Sequence, residues 1–331
     1  MTAMTPEVRS RLIFAAQVVF GVAILVACLT TLDLSALPAV LDRIQPAWMV
    51  LALALTIVGT VVIPAIVTKR ALEIERIRIS LWDLTAINFA IRLYVLVLPR
   101  AASIGIRWLR YSKGGSGHDA LALMAFERVV QIFTMMLIAT AVLPFEFAAL
   151  SGGGLTLFLA SLATTAATGL LLMSFIVPSA TVWLERFGAL SDRLAPASLA
   201  RQVQRLLESI RAFHALKTTT AKDIVILSIV GYVLFILSAY VVAVAMDLTV
   251  SLAALAWIRP MVFLLTLLPF TVGGLGVREA GFIALLGLYG VPRHESLAFS
   301  LAVFSLQIMI GLVGAATEVW SAAGKRWRAA G

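Results

Sequence analysis

The sequence predicts an all-α polytopic membrane protein with about six transmembrane helices plus two re-entrant segments in an inverted repeat. Three observations support this prediction: the composition, the lengths of the apolar runs and a weak internal repeat. Of the 331 residues, 61% are hydrophobic and 13% are charged, against roughly 45 to 50% and 25% in soluble domains. The mean hydropathy is +1.02. One soluble core cannot hide so much apolar surface, so we expect lipid to cover it.

Six apolar segments are long enough to cross a bilayer, which requires about 20 mostly apolar residues. They are 12–32, 47–68, 120–143, 155–178, 224–246 and 296–320. Two further apolar stretches, 81–98 and 252–268, are shorter and contain Arg92 and Arg259 respectively. Both end in a Leu-Pro pair. We interpret them as re-entrant segments that enter the membrane without crossing it.

The basic residues predict the orientation, because cytoplasmic loops carry an excess of lysine and arginine. With six crossings and a cytoplasmic N-terminus, 20 of the 26 lysines and arginines lie on the cytoplasmic side. If both short stretches crossed fully, the basic segment 186–222 would instead be external. We therefore expect both termini in the cytoplasm. The chain has 21 arginines and 5 lysines, which is compatible with a high-GC bacterium and its inner membrane.

Segment 196–217 has apolar residues at three- and four-residue steps and arginines on the other face, as an amphipathic helix does. It can lie on the inner leaflet or cover the cytoplasmic end of the bundle. A simple surface connector remains an equal alternative.

An internal repeat divides the single membrane domain, 1–331, into a first half, 1–143, and a second half, 144–331. The corresponding elements are His118-Asp119 with His294-Glu295, Leu98-Pro99 with Leu268-Pro269, and Arg107 with Arg278. Each half then contains three crossings and one re-entrant segment. Because three is an odd number, the halves face the membrane in opposite senses, which is the arrangement of an inverted repeat.

The most specific motif runs from Leu268-Pro269 to Gly281. Proline ends the helical pattern, and the glycines Gly273, Gly274 and Gly276 allow tight turns. Arg278 and Glu279 then open a short apolar run, where free backbone amides and the arginine can receive an anionic head group. The alternative is an interfacial turn whose charges face water.

Glu127 and Arg128 lie inside a predicted span, where a charge costs about 2.5 to 3.5 kcal/mol on insertion scales. They are adjacent and point roughly 100° apart, so they need not pair with each other. Glu127 can meet Arg92 or Arg278 across the bundle, and Arg128 can meet a phosphate. A buried ion pair that fixes helix packing is the alternative.

The motif resembles the signature of the lysylphosphatidylglycerol synthase transmembrane, or flippase-like, domain family, in which a Leu-Pro precedes a Gly-Gly-Leu-Gly-Val-Arg-Glu turn. The resemblance extends over nearly the full chain, through Leu98-Pro99-Arg100, Arg107 and Glu127-Arg128. Ser103 and Ile104 stand where the family usually has a glycine and an acidic residue. The resemblance implies a membrane protein that moves or handles polar lipids, such as aminoacylated phosphatidylglycerol, glycolipids or polyprenyl carriers. The chain ends soon after its last predicted span, so we expect transport without synthesis.

The resulting hypothesis is translocation or handling of polar phospho- or glycolipids through an arginine-lined cavity between inverted repeats. Arginine suits this role because its planar fork binds phosphate oxygens bidentately and keeps its charge in apolar surroundings. The predicted head-group-binding residues are Arg92, Arg107, Glu127, Arg128, Arg259, Gly273, Gly274, Gly276, Arg278 and Glu279. The expected partners are membrane phospholipids or glycolipids, with envelope-lipid biosynthesis proteins as further candidates and no nucleic acid.

No catalytic constellation, metal site or cofactor motif is predicted. The sequence has no histidine pair at metal-ligand spacing and no Gly-X-Ser-X-Gly. Cys28 is the single cysteine, which excludes an internal disulfide and a thiolate metal cluster. Three alternative functions stay open: a membrane subunit of a lipid-linked glycosyl or envelope-lipid biosynthetic system, a small-solute secondary transporter, and a non-catalytic scaffold for an envelope-lipid assembly.

Overall fold

The computed structural model describes residues 15, 18, 19, 22–26, 30, 42, 44–74, 79–98, 100–112, 117–148, 150, 153–176, 218–267 and 274–329. This part of the chain contains ten α-helices and no strand. The helices are α1 (Pro46–Ile57), α2 (Ile63–Ile74), α3 (Leu81–Val97), α4 (Arg100–Ser112), α5 (Gly117–Val142), α6 (Gly154–Ile176), α7 (Thr218–Ala245), α8 (Leu252–Leu267), α9 (Val277–Gly287) and α10 (Arg293–Ala329). A π-helical turn, Val58–Val62, joins α1 to α2, and a 3-10 turn, Leu143–Glu146, follows α5.

Within the described part of the chain, five helical segments are long and apolar enough to cross a membrane, and they confirm five of the predicted spans. They are Pro46–Leu72, Leu123–Glu146, Gly154–Phe175, Lys222–Ala245 and Arg293–Trp320. The predicted span 12–32 lies largely outside the described residues, although 22–26 are helical. The predicted amphipathic helix, 196–217, lies entirely outside them.

Two shorter helices occupy the stretches that were predicted to be re-entrant. Helix α3 begins at an N-cap in which Ser80 Oγ accepts the Asp83 backbone N–H at 3.1 Å. Helix α8 contains Pro260 in its interior. Each short helix packs against the next one, so that α3 with α4 forms a first hairpin and α8 with α9 forms a second hairpin.

Helices α1 and α7 run antiparallel and pack against each other. At one end, which we call the Glu146 end, the Gln45 N–H donates to the Ala245 carbonyl at 3.3 Å. The opposite end, where Trp320 closes the last span, is the Glu318 end. Between them the helices touch at two glycines: a Cβ on Gly59 would lie 2.7 Å from the Gly231 oxygen, and one on Gly231 would lie 3.1 Å from the Gly59 oxygen. Small residues permit such backbone contact in membrane helices.

The short helix of each hairpin packs against the long helix that follows the other hairpin. Helix α3 lies along α10, where Gly314 leaves no room for a Cβ beside the Phe89 carbonyl. Helix α8 lies along α5, and an apolar cluster of Met135, Met136, Ile236 and Ala256 joins them to α7. Each hairpin is thereby held against spans on both sides, which fixes the positions of its charged residues.

The glycine contact yields a stability prediction. Replacing Gly59 by alanine places a methyl group against the Gly231 backbone, so we expect a loss of about 1 to 3 kcal/mol, the usual range for overpacking. The measurement is the thermal unfolding temperature in detergent. The control is Gly105→Ala on α4, where an added Cβ meets nothing within 4 Å. Equal unfolding temperatures for both variants would contradict a tight crossing at Gly59.

Candidate functional site

The first hairpin is tied to the neighbouring spans by a buried ion pair. Arg107 Nη2 on α4 lies 2.5 Å from Glu127 Oε2 on α5, and their side chains are 26% and 10% exposed. Glu127 also accepts the hydroxyl hydrogen of Thr68 on α2. Arg107 donates a further hydrogen bond of 3.1 Å to the Tyr111 hydroxyl. Glu127 therefore pairs with Arg107, and not with Arg92 or Arg278, the two partners considered from the sequence.

Arg92 takes a different kind of acceptor. Its Nη2 donates to the Thr60 carbonyl at 2.7 Å, within the π-helical turn. Asn88, one turn earlier on α3, donates to the next carbonyl, that of Val61, at 3.1 Å. A π-turn disturbs the regular helical ladder, and such turns occur frequently at functional sites. Here backbone carbonyls near the middle of a span accept the side chains of the first hairpin.

At the Glu318 end, the first hairpin makes a second ion pair that is more exposed. Arg110 Nη2 lies 2.6 Å from Glu318 Oε1 on α10, with side chains 24% and 28% exposed. Tyr94 on α3 donates to the other Glu318 oxygen at 3.2 Å. This pair joins both helices of the hairpin to the last span.

The second hairpin contains the glycine motif and its charged residues. Gly274 and Gly276 have φ angles of 75° and 82°, which side-chain-bearing residues rarely adopt. The Gly276 N–H donates to Glu279 Oε2 at 2.7 Å, and Arg278 Nε donates to Glu279 Oε1 at 3.0 Å. Arg278 and Glu279 are 6% and 1% exposed, so their charges do not face bulk water. Gly273 lies outside the described residues.

Arg259 on α8 also uses a backbone carbonyl. Its Nη1 donates to the Phe235 carbonyl on α7 at 3.1 Å, and its Cζ lies 3.6 Å from the centre of the Phe235 ring. Phe235 lies near the middle of the span Lys222–Ala245. Arg259 is 5% exposed.

Arg128 lies on α5 beside the C-terminal half of α8. Its Nη1 donates to Gln131 Oε1 at 2.8 Å, and its Cζ lies 5.1 Å from the Phe263 ring centre, a cation–π distance. The arginine thus contacts the second hairpin although it belongs to the span that follows the first.

A hydrogen-bonded chain links the second hairpin to the Glu146 end of α5. Trp257 Nε1 donates to the Tyr289 hydroxyl, which donates to Glu146 Oε2, both at 2.7 Å. Ser251 Oγ donates to the other Glu146 oxygen at 3.3 Å. Burial, followed by the hydrogen bond to Glu146, raises the pKa of Tyr289 above its ordinary value, so the phenol keeps the proton that it donates.

The two hairpins hold their arginines in the same two ways. Each hairpin has an arginine that pairs with a carboxylate, Arg107 or Arg278, and an arginine that donates to a backbone carbonyl of an earlier span, Arg92 or Arg259. The first hairpin adds the second ion pair, of Arg110 with Glu318. The structure does not bring all the predicted site residues into one cluster. It divides them between the first hairpin, the second hairpin and the face of α5 that bears Arg128.

Several residues of these clusters were missed by the sequence prediction. Thr68, Tyr111 and Tyr232 are polar residues in apolar or interfacial segments, and the pattern gives no sign of which buried group each contacts. The π-turn at Val58–Val62 likewise has no sequence signature among its apolar residues. Tyr232 is a polar residue inside a predicted span. A position opposite the predicted charge of Arg259 is the only signal that could have suggested it.

The apolar spans, the paired hairpins and the buried arginines define a polytopic α-helical integral membrane protein. The model of one protein family, the lysylphosphatidylglycerol synthase TM region, matches residues 14–314. The chain belongs to this family, and the resemblance noted from its motifs is confirmed. It is therefore an integral membrane protein of a lipid-related family. A search of curated proteins finds no match to the chain.

The two carboxylates Glu127 and Glu318 offer a matched comparison of stability. Glu127 is the less exposed of the two carboxylates, 10% against 28%, and it also accepts the Thr68 hydroxyl. Glu127→Gln removes the counter-charge of Arg107 from this network, so we expect a loss on the order of 1 to 3 kcal/mol, the desolvation penalty of an unsatisfied buried group. Glu318→Gln removes a more exposed pair and is expected to cost less than about 1 kcal/mol. Thermal unfolding in detergent measures both. A larger loss for Glu318→Gln would contradict the structural role assigned to Glu127.

Proposed function

We propose that this protein translocates polar phospho- or glycolipids between leaflets through an arginine-lined cavity between two inverted repeats. The observation that carries the proposal is the repetition of one arrangement in both halves: a short helical hairpin that presents a carboxylate-paired and a carbonyl-bound arginine to the spans beside it. A phosphate needs guanidinium donors at membrane depth. The acyl chains can meanwhile stay in the bilayer.

The packing supports the inverted relation of residues 1–143 and 144–331. Gly59 and Gly231 occupy the second span of each half, run antiparallel and contact each other reciprocally. A reciprocal contact between equivalent residues is what a two-fold axis produces. Such an axis lies in the membrane plane when the two helices run in opposite directions.

The neighbours of the short helices support re-entrant segments that dip from opposite sides. The end of α3 contacts Gly311, well inside the span Arg293–Trp320. The start of α8 contacts Glu146 through Ser251, and its Phe263 meets Arg128 deeper along α5. Polar backbone at such depth requires protein contacts or a wet cavity.

Orientation, compartment and partners follow from the basic-residue distribution and the family. We propose that the Glu318 end faces the cytoplasm of a bacterium, that both termini lie there, and that the bilayer is the inner membrane. Phospholipids or glycolipids are the proposed cargo, and envelope-lipid biosynthesis proteins are the candidate partners.

Alternating access requires α1 and α7 to separate at one end while they stay in contact elsewhere. A disulfide between Gln45→Cys and Ala245→Cys, in a Cys28→Ser background, joins the halves at the Glu146 end, where the two backbones are in hydrogen-bond contact. We expect oxidation to reduce lipid movement at least tenfold and reduction to restore it. The measurement is the leaflet distribution of a fluorescent phospholipid in reconstituted vesicles.

The matched control joins two residues of one hairpin, Val262→Cys with Gly281→Cys, which already lie in van der Waals contact. This cross-link lies within a single repeat and is expected to leave rocking possible. Unchanged lipid movement after complete cross-linking of Gln45→Cys and Ala245→Cys would overturn rocking about this axis. The proposed function itself would be wrong if the reconstituted protein moved no lipid but formed a new lipid-linked product or carried a water-soluble solute.

A further inference from the structure

Four arginines of the two hairpins, Arg92, Arg107, Arg259 and Arg278, differ in whether a carboxylate neutralises them. Arg107 and Arg278 each contact a glutamate. Among the described residues, Arg92 and Arg259 have no carboxylate partner, and each makes one hydrogen bond, to a mid-span carbonyl. A carbonyl satisfies one of the five N–H donors of a guanidinium. It carries no charge that could balance the cation.

The surroundings of Arg259 contain a second unsatisfied polar group. Tyr232 lies one turn before Phe235 on α7 and is 5% exposed. Its hydroxyl has no hydrogen-bond partner in the described part of the chain. Both Tyr232 and Arg259 contact Phe235: the tyrosine and phenylalanine ring centres are 6.1 Å apart, and the guanidinium stacks on the phenylalanine face.

A buried hydroxyl without a partner is rare in native proteins and calls for an explanation such as an absent ligand. Here the neighbouring guanidinium is cationic, and the surrounding side chains of Met135, Met136 and Ile236 are apolar. Two donors beside one uncompensated positive charge match an anion with at least two oxygen acceptors. A phosphate diester has this chemistry.

Arg92 provides the corresponding charge in the first half. It lies on α3, which packs against α4, the helix that carries Arg107. Glu127 balances one of these two charges, through Arg107, which leaves one positive charge in excess. The second half has the same excess, because Glu279 balances Arg278 and not Arg259. Each hairpin therefore holds one arginine, Arg92 or Arg259, that pairs with no carboxylate among the described residues.

We propose that the protein selects lipids whose head group carries a net negative charge, and that it binds their phosphate at two intramembrane sites, one at Arg92 and one at Arg259 with Tyr232 as a second donor. This inference rests on the proposed lipid transport and names its substrate class. An anionic lipid supplies a counter-charge to either arginine. A zwitterionic lipid brings a compensating cation with its phosphate, and an aminoacylated phosphatidylglycerol brings an excess of positive charge.

The test compares three lipids that differ in net charge: phosphatidylglycerol, phosphatidylethanolamine and lysyl-phosphatidylglycerol. Purified full-length protein is incubated with an equimolar mixture, and retained lipids are counted by native mass spectrometry. We expect phosphatidylglycerol to be retained at least about tenfold over the other two, as one charge-assisted contact would give. The same order is expected for lipid movement in vesicles.

Substitutions then locate the two sites. Arg92→Gln and Arg259→Gln should each remove one of two bound phosphatidylglycerols, whereas Arg259→Lys should keep part of the preference because it keeps the charge. Tyr232→Phe preserves the packing and should weaken retention at the Arg259 site alone. The controls are Arg293→Gln, an exposed arginine, and Tyr240→Phe on the same helix as Tyr232.

Equal retention of the three lipids, or a preference that survives Arg92→Gln combined with Arg259→Gln, would overturn the inference. Retention of anionic lipid by a protein that moves none in vesicles would support the inference and refute the proposed transport. Lipid transport without any preference for head-group charge would support the proposed transport and refute the inference. If Tyr232→Phe retained as much phosphatidylglycerol as the unsubstituted protein, Tyr232 would not be part of the site.

Discussion

The cost of placing a guanidinium at membrane depth constrains the rest of this structure. A charged side chain there must find a counter-ion, a strong acceptor or water. The arginines find two kinds of acceptor in this chain, glutamates and backbone carbonyls. Each kind fixes particular contacts between helices. Glu127 connects the first hairpin to α5, and Glu279 pairs with Arg278 within the second hairpin. The carbonyls connect the hairpins to the middle of earlier spans.

The π-turn shows how backbone structure serves this requirement. A regular α-helix uses its mid-span carbonyls internally, so they are poor acceptors for another helix. Over Val58–Val62 the ladder changes, and the Thr60 and Val61 carbonyls accept Arg92 and Asn88. Within the same turn, Gly59 brings α7 into backbone contact. The pair of α1 with α7 and the first hairpin are therefore positioned by one short stretch of irregular helix.

Sequence patterns predicted the features that depend on one segment at a time. Length and hydropathy located five described spans, and the Leu-Pro pairs placed both short helices almost to the residue. The partner of Glu127 could not be predicted, because it depends on how α4 packs against α5 and not on spacing along the chain. Arg278 and Glu279 were recognised together since a motif of consecutive residues contains both. Tyr232 and the π-turn lie within uniformly apolar runs that carry no local signal.

The two halves reach similar electrostatics from different residues. Arg107 obtains its carboxylate from the next span, through Glu127, whereas Arg278 obtains it from the adjacent residue, Glu279. Ser103 and Ile104 lie on α4 with Arg107 and carry no charge, so the carboxylate for Arg107 comes from Glu127 on α5. The charge pattern is thus repeated even where the sequence is not. Arg107 and Arg278 thus reach the same paired state through different local geometry, one across two helices and one within a single helical turn. In both hairpins the pairing leaves a second arginine, Arg92 or Arg259, whose acceptor is an uncharged backbone carbonyl.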